Sequence, residues 1–498
     1  MNVAHNLERS ARHFGERPCL VFKGRSWTYR DLNEAAGRVA AGLAGHGVGV
    51  GDRVLLLLPN SPEFLLAYFG LQKLGAVPIS LNVMLKAGEI GFIANDSGAV
   101  ALIVHAALLN SLPVREAMPG LRHLVVVGGQ TPEGALSFDS LLAATDPRAA
   151  VDLDRDAVAA ILYTSGTTGR PKGAMLSHAN IVSNAYATKH HLLLGPEDRV
   201  LCALPLFHVF GQNFIMNASV LSGSTLYLHE RFVPDEVVAA IPEHGVTVFY
   251  GVPTIFIHLL NDRRVTRERF GSLRICFSAA ATMPREVSER WAERIGKPIV
   301  EGYGLTECSP FAAYNHEVEF RFGSVGTAIE NVEIKILGAE DREVALGELG
   351  EICIRGPNVM LGYFRRPEDT AEAIRGGWLH SGDIGRMDED GYVYIVDRVK
   401  DMINVAGFKV YPREVEEVLF AHPAVGEAAV VGIPDPLHGE AVKAFVVPRA
   451  GASCDPDELI ATCRAQIAEY KVPREVELIE ALPKSPTGKV LKRELRDS

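Results

Sequence analysis

Cysteine is scarce and scattered, with seven in 498 residues. No CxxC pair occurs, so neither a disulfide framework nor a thiolate zinc site is expected. A surplus of positive charge is missing too. The 61 acidic residues outnumber the 50 basic ones and leave a net charge of −11, the wrong sign for gripping a nucleic-acid backbone or an anionic membrane surface. The longest aliphatic run, Val54 to Leu58, is far too short to cross a bilayer. Met1-Asn-Val-Ala-His-Asn-Leu-Glu8 lacks the basic start and continuous apolar stretch of a secretion signal. Internal repeats and low-complexity segments are absent as well. The expectation is a cytoplasmic protein with no nucleic-acid partner and no integral membrane segment. Its hydrophobic share of 47% and charged share of 22% are those of ordinary globular chains. The length suits roughly three domains and exceeds what one core fills.

Over the first 400 or so residues short apolar runs alternate with helical patterns. Thr28 and Asp31 have capping-box spacing, and Leu32, Ala36, Val39 and Leu43 then recur on one helical face. The run from Arg53 to Pro59 reads as a buried strand. Ser61-Pro62-Glu63 opens a helix that Gly75 ends, and Ala76 to Ile79 is the next strand. Strand–helix–strand units of this size call for a parallel sheet covered by helices. Beyond about Asp397 the texture changes. A helix is expected from Tyr411 with Val415, Val418, Leu419 and His422 on one side, and another behind Asp455-Pro456 with Leu459, Cys463 and Ile467 inward. Strands are expected at 428–431, 441–447 and 476–479. The segment Asp397-Arg-Val-Lys-Asp401 therefore divides the chain into residues 1–398 and a small α+β domain, 399–498.

The most informative string is Tyr163-Thr-Ser-Gly-Thr-Thr-Gly-Arg-Pro-Lys-Gly173. Gly166 and Gly169 free the backbone to turn N–H groups inward, Ser165, Thr167 and Thr168 add hydroxyl donors, and Lys172 adds a positive charge. Together they suit a polyphosphate. The spacing is not that of a Walker loop, and Pro171 bars Lys172 from opening a helix in that manner. Gly-Thr-Thr-Gly taken alone would equally suit a surface hairpin. Further motifs follow in order: Pro205-Leu-Phe-His-Val-Phe-Gly211, Glu301-Gly-Tyr-Gly-Leu-Thr-Glu307, Gly347-Glu-Leu-Gly-Glu351, Trp378-Leu-His-Ser-Gly-Asp383, Asp397-Arg-Val-Lys-Asp401, Gly407-Phe-Lys409 and Pro483-Lys-Ser-Pro-Thr-Gly-Lys489.

This ordered set resembles the adenylate-forming (ANL) superfamily over nearly the whole chain, and most closely its acyl-CoA synthetase, or fatty-acid–CoA ligase, branch. The resemblance implies an α/β fold, with a large N-terminal domain of mixed sheets flanked by helices and a small mobile C-terminal α+β lid. It implies a two-step reaction. A carboxylate attacks the α-phosphorus of ATP, pyrophosphate leaves, and coenzyme A then takes the acyl group with release of AMP. The first step brings two anions together, so charge neutralisation and positioning should dominate. No Ser-His-Asp or Cys-His arrangement suggests a covalent nucleophile instead.

By the same resemblance Glu307 and Thr164 hold Mg²⁺, whose preference is for oxygen ligands. Tyr303 lies against the adenine and Ser278 to Ala281, with Ala279 and Ala280, wall its other face. Thr306 meets the α-phosphate, Asp383 takes the ribose hydroxyls and Arg398 adds a ribose or phosphate contact. Glu301 and Gly302 complete the nucleotide site, and Lys489 bridges the carboxylate and α-phosphate oxygens. Lys400 is the hinge, Gly407, Phe408 and Lys409 line the coenzyme A path, and His208 gates the carboxylate. The acyl pocket is drawn from His208, Val209, Phe210, Gly211, Phe249, Tyr250, Gly251, Phe277, Ala279 and Gly304. The segment Phe207 to Phe214 carries no acid, and a buried substrate ammonium without one would be costly, which disfavours amino acids. The pocket favours an apolar tail, fatty before aryl. A dicarboxylate would need a second cation, for which Arg274 is the nearest candidate although strand alternation turns it away from Phe277. An acyl-AMP ligase serving a carrier protein shares the motifs, and a non-catalytic nucleotide-binding module is the alternative of another class. A monomer or homodimer is expected.

Overall fold

The computed structural model describes residues 1–165, 171–398, 401–485 and 488–496. Gly166, Thr167, Thr168 and Lys400 lie outside the described residues, as does the side chain of Ser165.

Local signals place the first elements. The Thr28 hydroxyl accepts from the Asp31 N–H at 3.1 Å and the Asp31 carboxylate accepts from the Thr28 N–H at 3.0 Å. That reciprocal cap starts the helix Tyr29–Gly45, whose Leu32, Ala36, Val39 and Leu43 are buried. Ser61 caps the helix Pro62–Leu74, and Gly75 ends it in the left-handed conformation, φ 76°. The strand Arg53–Leu57 then lies at the heart of a parallel sheet with Val77–Ser80, Ala101–His105, His123–Val127 and Leu136–Ser137.

A second, larger sheet carries the candidate residues. Its strands Pro18–Phe22, Thr225–Leu228, Arg199–Cys202, Val248–Gly251, Ile275–Ser278 and Ile299–Tyr303 pair in parallel, and short antiparallel strands close both edges. Pro205 to Gly211 follow the third of these, Ala279 and Ala280 the fifth, and Gly304 to Glu307 the sixth. The motifs therefore gather beyond the carboxyl ends of neighbouring parallel strands, where open α/β sheets form their crevices. Two antiparallel sheets flank this edge. In one, Val158–Ser165 and Pro171–Ser177 form a hairpin in the register Ser165↔Pro171, with Gly362–Tyr363 beside it. In the other, Trp378–Met387 and Val393–Arg398 pair so that Asp383 faces Arg398. The fold is thus α/β with mixed sheets and flanking helices.

The last hundred residues bury their own side chains. Val415, Leu419, Val430, Val442, Leu459 and Cys463 pack on one face of their sheet, and Ala429, Val431, Phe445, Leu482 and Leu495 on the other. Both expected helices are present, as Pro412–Phe420 and Pro456–Gln466, although His422 falls beyond the first. The sheet is larger than the sequence suggests. The strands Val425–Asp435 and Gly439–Pro448 form one long hairpin, and Ile403–Val405 with Phe408–Val410 adds a second around Gly407 at φ 90°. Three-residue strands carry too few alternations to be read from sequence. No helix among the described residues is long and apolar enough to cross a membrane.

Candidate active site

Glu307 sits where the main sheet meets the hairpin sheet. It is 8% exposed, and its Oε1 accepts from the Tyr363 hydroxyl at 2.9 Å and the Thr164 hydroxyl at 3.3 Å. Glu307 comes from the turn Thr306–Cys308 behind the main sheet, whereas Thr164 and Tyr363 come from the hairpin sheet. Gly304 makes that turn possible, because a Cβ there would stand 1.6 Å from the Pro310 carbonyl oxygen. The hairpin is held from behind. Tyr163 donates to Asp96 at 2.7 Å, and Arg366 grips the other Asp96 oxygen at 3.0 Å. Lys172 does not point at Glu307; it pairs with Asp369 and lies 5.5 Å above the Tyr363 ring.

The second carboxylate, Asp383, is 7% exposed and anchored at both oxygens. Tyr303 donates to Oδ2 at 2.7 Å and Arg398 to Oδ1 at 2.6 Å. Each oxygen keeps a lone-pair direction for a further donor. Tyr303 therefore reaches Asp383 with its hydroxyl while its ring remains largely buried, beside Gly302, where a Cβ would run into the Phe277 ring at 2.3 Å. Ala280 has φ 71° and is exposed at the crevice mouth, and Ala279 is half-buried behind it. Glu301 is 4% exposed and accepts from the Met283 N–H at 3.2 Å. Burial pushes its carboxyl up to about 7, against the pull of Arg413.

His208 is part-buried, and its Nδ1 accepts the Phe210 N–H at 3.2 Å. A backbone N–H can only donate, so a neutral His208 carries its proton on Nε2. Burial, with the Lys489 charge beside it, pulls the imidazole down to about 4, which keeps it neutral at pH 7. The C-terminal lobe is thus docked with Lys489 at the crevice. Thr254 donates to the Gly488 carbonyl at 3.3 Å, and Arg449 pairs with Glu286 at 3.2 Å. Gly407, Phe408 and Lys409 are exposed on that lobe, with Phe408 stacked on Tyr470 at 4.9 Å.

Behind His208 the segment Phe210–Asn217 is a wide helical turn of buried residues. Gly211 passes so close to Pro205 that a Cβ would stand 2.2 Å from its carbonyl oxygen. Phe210 and Phe214 meet Tyr250 (6.2 and 5.7 Å) and Phe277 (6.0 and 4.7 Å). Phe311 and Tyr314 extend this aromatic wall. Phe249 is not part of it: one residue before Tyr250, it turns to the opposite sheet face and meets Phe256 at 5.7 Å. Arg274 is also committed elsewhere, its guanidinium holding both Asp198 oxygens at 2.7 and 2.8 Å.

Several residues in this geometry carry no sequence signal: Asp96, Tyr363, Asp369, Thr254, Phe311 and Tyr314. Away from the crevice Glu351, Cys353 and His380 gather within 4.8 Å, a possible metal-ligand set. Arg375 already places its guanidinium 2.8 Å from His380 Nδ1, which marks the group as an ion-pair network.

The arrangement can hold a nucleotide between Asp383 and Glu307, with a cation entering from the lobe and a packed aromatic cluster behind His208. The family described as AMP-binding enzyme matches residues 7–364, and the AMP-binding enzyme C-terminal domain matches residues 414–489. A long-chain-fatty-acid–CoA ligase of Salmonella typhimurium is 38% identical, over 99% of this chain and 93% of the relative. A feruloyl-CoA synthase of an Amycolatopsis species is 39% identical, over 98% of this chain and 97% of the relative. The crystal structure of an anthranilate CoA ligase in complex with anthranoyl-AMP superposes with a TM-score of 0.94 at 32% identity, covering 100% of this chain and 97% of the other.

Proposed function

Because the chain belongs to the AMP-binding enzyme family, we propose that it is an ATP-dependent acid–thiol ligase, an acyl-CoA synthetase. It adenylates an apolar carboxylic acid with release of pyrophosphate, then passes the acyl group to coenzyme A with release of AMP. The full-length likeness to long-chain-fatty-acid–CoA ligases makes fatty acids the leading substrate class. An aryl acid is the second reading, favoured by the aromatic wall around Phe214 and Phe277 and by the feruloyl-CoA synthase relative. The observation that carries the ligase reading is the convergence, at one strand edge, of anchored Asp383, the Thr164–Glu307 pair and Lys489 beside His208.

In this reading Asp383 accepts the ribose hydroxyls while Tyr303 and Arg398 hold its carboxylate in place, and the hairpin Val158–Ser165 and Pro171–Ser177 delivers the phosphate loop. Lys489 sets one positive charge between two anions, which lowers the repulsion that dominates the first step. Neutral His208 presents Nε2–H to the incoming carboxylate without competing with that lysine for charge. Mg²⁺ fits at Glu307 and Thr164: both offer hard oxygens, and the carboxylate is fixed by neutral hydroxyl donors rather than by a cation. When bound, the ion would offset charge on the triphosphate. The joint lies at 398/399, with Lys400 as hinge, and Gly407, Phe408 and Lys409 meet the thiol arm once the lobe has turned. The free cysteines fit a reducing compartment such as the cytoplasm.

Lys489→Ala separates the two steps. The variant should lose ATP–pyrophosphate exchange by about a hundredfold or more yet still convert a supplied acyl adenylate and coenzyme A to thioester. Equal loss of both half-reactions in single turnover would refute the assignment.

A further inference from the structure

Asp383 lies in a three-residue bulge. Where Gly350–Arg355 pairs with Trp378–Met387, Glu351 faces Ile384 and Cys353 faces His380, so Ile352 alone stands opposite Ser381, Gly382 and Asp383. Such a bulge re-aims a side chain but interrupts the ladder of hydrogen bonds. Gly382 has φ 72°, which glycine adopts freely, and a Cβ there would meet nothing, so conformation and not room calls for the glycine. Two side chains take up the freed backbone groups. The Ser381 hydroxyl donates to the Ile352 carbonyl at 2.6 Å and accepts the Asp383 N–H at 3.1 Å. Glu351 reaches across from the neighbouring strand, and its Oε1 accepts the Gly382 N–H at 2.8 Å. Its Oε2 lies 2.8 Å from His380 Nδ1 and 3.9 Å from the Arg375 guanidinium, so the carboxylate is itself held.

We propose that Glu351 is a positioning residue for the nucleotide: by holding the Gly382 N–H it fixes the bulge that carries Asp383, and thereby sets how strongly the site prefers a ribose to a deoxyribose. This rests on the ligase reading and deepens its nucleotide site. Tyr303 and Arg398 orient the Asp383 carboxylate by its oxygens, whereas Glu351 and Ser381 hold the backbone that bears it. An ionised oxygen is a stronger tether for a backbone N–H than a neutral acceptor. The ribose hydroxyls gain from Asp383 only at hydrogen-bond distance, and a misplacement of about 1 Å forfeits much of that gain. The phosphate end of the site is built on other elements, Glu307 on the turn Thr306–Cys308 and Thr164 on the hairpin. Loosening the bulge therefore acts on the ribose hydroxyls and spares the rest of the nucleotide.

The test measures kcat/KM for nucleotide–pyrophosphate exchange with ATP, 2′-deoxyATP and 3′-deoxyATP, using whichever fatty or aryl acid drives exchange best. The wild type should prefer ATP to the poorer deoxynucleotide about tenfold or more. Glu351→Ala and Glu351→Asp both withdraw the oxygen from Gly382, and in them the ratio should fall to about one to three while KM for the acid stays unchanged. Glu351→Gln keeps an oxygen for Gly382 and can turn its amide N–H to His380 Nδ1, so it should retain the wild-type ratio. A merely structural role would lower Tm and the use of all three nucleotides alike. That result, or a glutamine variant that loses the preference as fully as alanine does, would overturn the proposal. Should Glu351→Ala not fold, Glu351→Asp gives the same reading. Equal use of the three nucleotides by the wild type removes this inference alone. If no acid drives ATP–pyrophosphate exchange, the ligase reading falls and takes the inference with it.

Discussion

Glu301 bears a carboxyl that burial pushes from its ordinary value of 4.5 up to about 7. The folded protein therefore holds a proton there that the unfolded chain releases between these two values. Stability from this group is complete below pH 4.5, declines as pH rises to about 7, and is level above that. The cost at pH 8 is on the order of a few kcal/mol. Glu301→Gln keeps an oxygen for the Met283 N–H and removes the titration. The Tm of the variant minus that of the wild type should climb between pH 5 and pH 7 and then plateau, as followed by scanning fluorimetry. A difference that stays flat across that range would show that the carboxyl is not the group at work. His208 titrates in the opposite sense. Its folded value is about 4 against an ordinary 6.5, so acid below pH 6.5 charges the unfolded chain first and weakens the fold.

Elements, more than single residues, decide what could be read from the sequence. Helix ends were legible because their signals are local: Thr28 with Asp31, Ser61 with Pro62, Gly75, and Asp455 with Pro456 all lie within a turn of the boundary they set. The motifs fixed which strand ends form the crevice, but not what braces them. Tyr363 is 56 residues from Glu307 along the chain, and Arg366 is 270 from Asp96. Nothing in local pattern announces such pairings, because sheet order brings them together. Likewise period-two alternation would have separated Phe249 from Tyr250, had the register of that strand been known. The bracing is testable. Tyr363→Phe removes one of the two hydroxyls that hold Glu307 while keeping the ring under Lys172. Loss of an outer partner weakens metal affinity by about 10–100-fold. The Mg²⁺ concentration giving half-maximal ATP–pyrophosphate exchange should rise accordingly, with little change at saturating Mg²⁺. An unchanged Mg²⁺ requirement would detach Tyr363 from the metal site.

At the scale of the whole molecule, the four clusters of buried side chains divide by region, two in the larger part and two in the last hundred residues. The buried residues of the C-terminal lobe cluster separately from those of the larger part, and polar contacts bridge the two: Thr254 with Gly488, Arg449 with Glu286, the Arg285 N–H with Glu417, and Arg413 with Asp397 and the Ile395 carbonyl. Contacts of this kind are worth little each, about 0–1 kcal/mol for an exposed ion pair. The reaction proposed above requires that this docked pose be left before the thiol arrives. The Thr254–Gly488 contact offers a lock. A Cβ on Gly488 would lie 2.8 Å from Thr254 Oγ1, near enough for a disulfide once Thr254→Cys and Gly488→Cys are combined. Gly488 has φ 79°, so the second substitution strains the backbone by about 1–2 kcal/mol, and the Val252 methyl, 2.8 Å from the new Cβ, must also give way. Of the native cysteines all but Cys454 are buried, which limits competing oxidation. The oxidised double variant should keep ATP–pyrophosphate exchange, because Lys489 is pinned at the crevice, and should fail to form thioester until dithiothreitol is added. Thioester formation at the reduced rate with the bond intact would mean that acyl transfer needs no departure of the lobe, and the two-pose scheme would be abandoned.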